Sequence, residues 1–68
     1  MIKRSFSIAG HRTSIALEPE FWTALETQAH AQGVSLAALV GRIDADRAGS
    51  NLASALRVQV LKHLSKAG

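Results

Sequence analysis

From Arg12 to Leu17 the chain alternates, with Thr13, Ile15 and Leu17 on one side and Arg12, Ser14 and Ala16 on the other. A period of two marks a strand with one face turned to a core. Pro19 suits the first turn of a helix, where its missing N–H is not needed. Beyond it the period lengthens. Phe21, Leu25 and Ala29, with Trp22 beside them, form the buried stripe of an amphipathic helix A over 18–32. Glu18 and Glu20 suit the positive end of its dipole, and Gly33 is a natural stop because the residue there often needs positive φ. Ser35 then caps a helix B over 35–47, with Leu36, Leu39, Val40 and Ile43 on one face. Ala48-Gly49-Ser50-Asn51 reads as a break in which Ser50 or Asn51 caps a helix C over 51–65. Leu52, Leu56, Val60 and Leu64 make its stripe, flanked by Ala53, Val58 and Leu61. The same residues also fit a kink in one long helix.

Residues 1–17 are predicted to be an arm and a strand. Ile2, Ser5, Phe6, Ser7 and Ile8 favour extended backbone, with Phe6 and Ile8 on one face. Gly10 interrupts this run, and Ala9-Gly10-His11 fits a bend, a bulge or a tight hairpin. The pattern therefore allows one bent strand or a short hairpin per chain. Only 13–17 is a strong strand by pattern, and a lone strand leaves an edge that seeks a partner. The simplest partner is an identical chain across a two-fold axis. No internal repeat, low-complexity tract or linker stands out.

Sixty-eight residues make one domain, and a chain of that size buries only about 60% of its unfolded surface. It has no cysteine, which removes disulfides and thiolate metal sites together and fits a reducing cytoplasm. Oligomerisation is the remaining staple. A hydrophobic content of 47% is more than one small monomer easily hides. We therefore expect a homodimer, with Ile15, Leu17, Phe21, Trp22, Leu25, Leu39, Val40 and Ile43 in its core or interface.

The net charge is +3, and its distribution matters more than its size. Lys3, Arg4 and Arg12 open the chain without an acid among them. All five acids (Glu18, Glu20, Glu26, Asp44, Asp46) lie within residues 17–46 against Arg42 alone, and Arg47, Arg57, Lys62 and Lys66 follow. A basic N-terminal segment points to a polyanion partner. Lys3 and Arg4 would touch phosphates from a free arm.

Other classes find little support. No apolar run approaches the ~20 residues of a membrane span, and Lys3 and Arg4 are not followed by the apolar stretch of a signal peptide. His11, His30 and His63 are far apart, none paired at i, i+4, so no metal site is expected; His11 beside Arg12 could add a weak DNA contact. Asp44 and Asp46 do not share a helix face, and Arg42 or Arg47 is placed to neutralise them. No nucleophile–base pair, phosphate-binding glycine loop or cofactor motif is present. The expectation is a cytoplasmic non-enzyme without cofactor.

Ser14-Ile15-Ala16-Leu17-Glu18-Pro19-Glu20-Phe21-Trp22, followed by Gln32-Gly33-Val34-Ser35-Leu36, resembles the ribbon-helix-helix family of DNA-binding proteins, the Arc, MetJ and CopG class. It looks closest to a small, mostly uncharacterised bacterial branch in which the strand opens His-Arg-Thr-Ser. The resemblance covers roughly residues 12 to 44. It implies a mainly α fold with a short β-ribbon, an intertwined homodimer, and here an extra C-terminal helix. It further implies that the outward residues of the ribbon, Arg12, Ser14 and Ala16, touch base edges of double-stranded DNA in the major groove. Arg12 suits guanine, Ser14 can donate or accept, and Ala16 departs from the usual polar residue, offering only a methyl contact to thymine. The N-terminus of the second helix, at Val34, Ser35 and Leu36, would anchor a phosphate. The function implied is that of a small bacterial transcriptional regulator. The alternative is a protein-interaction dimer, antitoxin-like or adaptor-like, that grips a partner through helix C.

Overall fold

A computed structural model describes all residues except 48, 50 and 68, and of residues 66 and 67 only the backbone. In chain order the elements are β1 (Ile2–Ile8), β2 (His11–Leu17), α1 (Pro19–Gln32), α2 (Leu36–Asp46) and α3 (Leu52–Ala67). The alternation in residues 12–17 is β2, and its partner lies in the same chain. β1 pairs with it antiparallel over seven residues, from Ile2 opposite Leu17 to Ile8 opposite His11. The choice between bent strand and hairpin is thus resolved as a hairpin. Two residues make the turn, Ala9 at φ 52° and Gly10 at φ 80°. Positive φ at both central positions gives a turn whose twist matches the right-handed twist of the strands.

That register sorts the ribbon into two faces. Inward lie Ile2, Arg4, Phe6 and Ile8 of β1 with Thr13, Ile15 and Leu17 of β2; the odd-numbered residues of β1 and the even-numbered ones of β2 point out. Ile8, Ile15 and Leu17 join Trp22, Leu25 and Ala29 of α1, Leu39, Val40 and Ile43 of α2, and Leu56 and Val60 of α3 in one core. α2 packs against β1 and α3 against β2, so the helices close over one side of the ribbon only.

Two details of the expected helix stripes differ. Phe21 is half-buried, and the stripe of α1 runs instead through Trp22, Leu25, Gln28 and Ala29. The helix leaves β2 in a phase that points the indole inward, and Phe21 lies at the margin beneath the Arg57 guanidinium, 5.7 Å from the ring centroid. The stripe of α3 stops at Val60; Leu64 is 58% exposed, because α3 has 16 residues against 11 in α2 and its last turn has less to pack on.

The helix ends follow the sequence closely. Gly33 adopts φ 69°, its N–H donates to His30 O at 3.1 Å, and the Val34 N–H donates to Ala29 O at 3.0 Å, closing α1. Ser35 Oγ accepts from the Ala38 N–H at 3.0 Å. Asn51 Oδ1 accepts from the Ser54 N–H at 3.2 Å and caps α3; Ser50, the other expected cap, is outside the described residues.

Glu18 joins β2 to α1, and α3 reaches back to it. The Arg57 guanidinium holds its carboxylate through three contacts, the shortest 2.9 Å from Nη2 to Oε1. A hydrogen bond from its own backbone N–H, and then the bond from Arg57, holds the Glu18 carboxyl below its ordinary value of 4.5. A carboxyl depressed in the folded chain stabilises the fold above the unfolded value and loses that contribution as pH falls through the folded one.

Two outcomes follow. On going from pH 6 to pH 3, urea melts will show a larger loss of stability for the wild type than for Glu18→Gln, which has no carboxylate to protonate. Ala9 holds a left-handed conformation that an alanine adopts at a cost, whereas Asn-Gly is the preferred pair for such a turn. Ala9→Asn should therefore stabilise the fold by about 0.5–1 kcal/mol, read as a rise of several degrees in Tm by circular dichroism.

Candidate nucleic-acid interface

The outward face of the ribbon carries six side chains in three cross-strand rows: Lys3 with Ala16, Ser5 with Ser14, and Ser7 with Arg12. All six are exposed and none is acidic. The central row is joined by a hydrogen bond between Ser5 Oγ and Ser14 Oγ at 3.0 Å. One hydroxyl donates to the other, which leaves one O–H and several lone pairs facing outward. Small side chains in the middle let another molecule approach the backbone closely, while Lys3 and Arg12 place a cation at either end. β1 thus contributes Ser5 and Ser7 to this face, residues that the reading of the sequence did not single out.

The signal for them was in the chain. Lys3-Arg4-Ser5-Phe6-Ser7-Ile8 and Arg12-Thr13-Ser14-Ile15-Ala16-Leu17 are the same pattern nine residues apart: cation, any, serine, apolar, small, apolar. This corrects the view that no internal repeat exists. The repeat is too short for a domain-scale period, and it recurs by residue type rather than by identity.

Arg4, expected on a free arm, instead lies on the inward side. It makes an ion pair with Glu26 at 2.6 Å and stacks 5.2 Å from the centroid of the Trp22 ring. Even-numbered positions of β1 face the helices, so Arg4 belongs to the seam between β1 and α1, and Lys3 alone of the two points away. Trp22 is 2% exposed and fastens that seam: its Nε1–H donates to the Ile2 carbonyl at 2.8 Å, and Phe6 packs on it with ring centroids 5.8 Å apart.

At the start of α2 the three expected anchor residues differ in what they offer. The Val34 N–H is spent on α1, and Ser35 Oγ accepts from within its own helix. Leu36 is the first residue of α2, where an N–H has no acceptor in its own helix. Among the remaining charges, Arg47 pairs with Asp44 at 2.6 Å, and Arg42 donates to Gln32 Oε1 at 3.1 Å. His11 is exposed at the hairpin end beside Arg12. Among the described residues no three His, Asp or Glu are placed to share a metal ion, and no helix is long and apolar enough to cross a membrane.

The profile of a family described as Ribbon-helix-helix domain matches residues 1–64. No curated protein and no solved structure matches the chain.

Proposed function

We propose that this chain, which belongs to the ribbon-helix-helix family, binds double-stranded DNA sequence-specifically by laying its two-stranded ribbon in the major groove, as a small bacterial transcriptional regulator. Members of the family are in general DNA-binding transcription regulators. The observation that carries the reading is the acid-free outward face of the ribbon. A two-stranded ribbon fits a groove about 12 Å wide. Arg12 makes a bidentate contact to guanine, Ser14 bonds to a base edge, and Ala16 meets a thymine methyl. Lys3 and the first turn of α2, from Ser35 and Leu36, hold flanking phosphates.

The working unit we propose is a homodimer. β1 fills one edge of β2 and leaves the other open; we assign the second copy to α3, where Val58, Leu61 and Leu64 leave an apolar stripe in solvent. Beside it runs an open groove of about 500 Å³, and within it Gln28, 1% exposed, holds Oε1 without a donor among the described residues. The same stripe favours the second reading, a protein-interaction module that takes a different partner through α3.

Fluorescence anisotropy with a mixed-sequence labelled duplex tests the DNA reading. Affinity should fall steeply with salt, and Arg12→Ala should weaken specific binding by about tenfold or more. Absence of binding at low salt sinks the mechanism. Light scattering on Leu61→Glu, 59% exposed in the wild type and so harmless to the fold, separates the two uses of α3. A dimer that becomes monomeric supports the second copy. A wild type already monomeric leaves the stripe to another protein.

A further inference from the structure

We infer that the groove between α1, α2 and α3 binds an extended acidic segment of another protein. The inference stands apart from the ribbon's reading of DNA, since no described residue of β1 or β2 lines this groove.

Two adjoining hollows, of about 380 and 500 Å³, share Gln32, Val58, Gln59 and Lys62 and so form one open channel. Along α3 the channel runs from Ser54 to Ser65, about 16 Å at a rise of 1.5 Å per residue. An extended segment spans that length with about five residues. Leu64 lines neither hollow, so the channel meets the outward stripe of α3 only at Val58 and Leu61.

The walls set the chemistry of the occupant. Gln28 is 1% exposed, and its Oε1 has no donor among the described residues. Buried polar atoms are nearly always paired, and each residue of an extended chain other than proline brings a backbone N–H. Lys62 makes no ion pair or hydrogen bond among the described residues. Arg42 donates to Gln32 Oε1 at 3.1 Å and keeps further N–H groups for a carboxylate. Leu39 and Ile43 supply an apolar wall at the α2 end. Asp46 is the acid that lines the channel there, so the carboxylates of the segment lie toward Arg42 and Lys62.

Charge also decides between another protein and a second copy as the occupant of this channel. All five acids of the chain fall within residues 18–46, in α1, in α2 or at the start of α1. The strands hold none, and residues 52–67 hold none. A second copy therefore has no extended acidic segment to offer, and the α3 of that copy would bring Lys62 toward cations.

The experiment is panning of a displayed random 12-residue peptide library against the full chain, followed by anisotropy with the enriched peptides. Segments carrying Asp or Glu between apolar residues should be enriched. Lys62→Glu, at an exposed position, should weaken their binding by about tenfold and shift a repeated panning toward basic segments. Gln28→Leu should weaken binding by about fivefold, while the Tm of the free protein stays level or rises because a buried acceptor without a donor has been removed. Enrichment of nothing, enrichment without acids, or binding that Lys62→Glu leaves unchanged overturns the inference, whatever Gln28→Leu does to the fold. Light scattering supplies a further check. If Lys62→Glu turns a wild-type dimer into monomers, a second copy fills the channel and the inference fails, while the duplex titration above still decides the DNA reading on its own.

Discussion

A chain that reverses direction in two residues, both at positive φ, has no freedom in how its flanking strands pair. The turn at Ala9 and Gly10 sets Ile8 opposite His11, and every later pair down to Ile2 and Leu17 follows. A slip of one residue would move Phe6 and Ile8 to the solvent side and Ser5 and Ser7 to the core. The two faces of the ribbon, the seating of Trp22 on the Ile2 carbonyl and the row that joins Ser5 to Ser14 all depend on this one reversal.

The two faces divide the work. The inner one is held by apolar contact and by a few polar fasteners at its margins: the indole on Ile2, Arg4 on Glu26, and Arg57 on Glu18. Of these three donors only Arg4 comes from the ribbon, since Trp22 belongs to α1 and Arg57 to α3. What is left on the outer face is small, hydroxylated and positive at its ends. Spending Arg4 inward while leaving Lys3 outward, one residue away, is a direct result of strand parity.

The helices were legible because their signals are local. Pro19, Gly33 and Ser35 mark their ends by backbone chemistry that acts within a few residues, and Asn51 does the same for α3. The strand 12–17 was legible by alternation. The role of residues 2–8 was only half visible: Phe6 and Ile8 were placed on one face, but pairing joins residues up to fifteen positions apart, and no local rule reports it. Phe21 against Trp22 was not legible either. Adjacent aromatics point about 100° apart on a helix, and which one enters the core depends on the phase in which α1 leaves β2. For α3 the sequence named the correct face but not its covered length, since burial at Leu64 depends on what lies opposite. Among the expected contact residues, Arg12, Ser14 and Ala16 came together on the outer face, joined by Lys3, whereas Arg4 did not.

The hairpin also changes what dilution does to this protein. A ribbon assembled from two chains exists only while the chains are associated, so its population follows mass action and collapses below the dissociation constant. In this chain both strands are covalently joined by two residues, and closing so short a loop is a unimolecular event with a small entropic cost. The pairing of the two strands that form the outer face is therefore set within one chain and needs no encounter between two copies. Whatever a second copy adds across α3 is an increment to a surface that each chain already possesses.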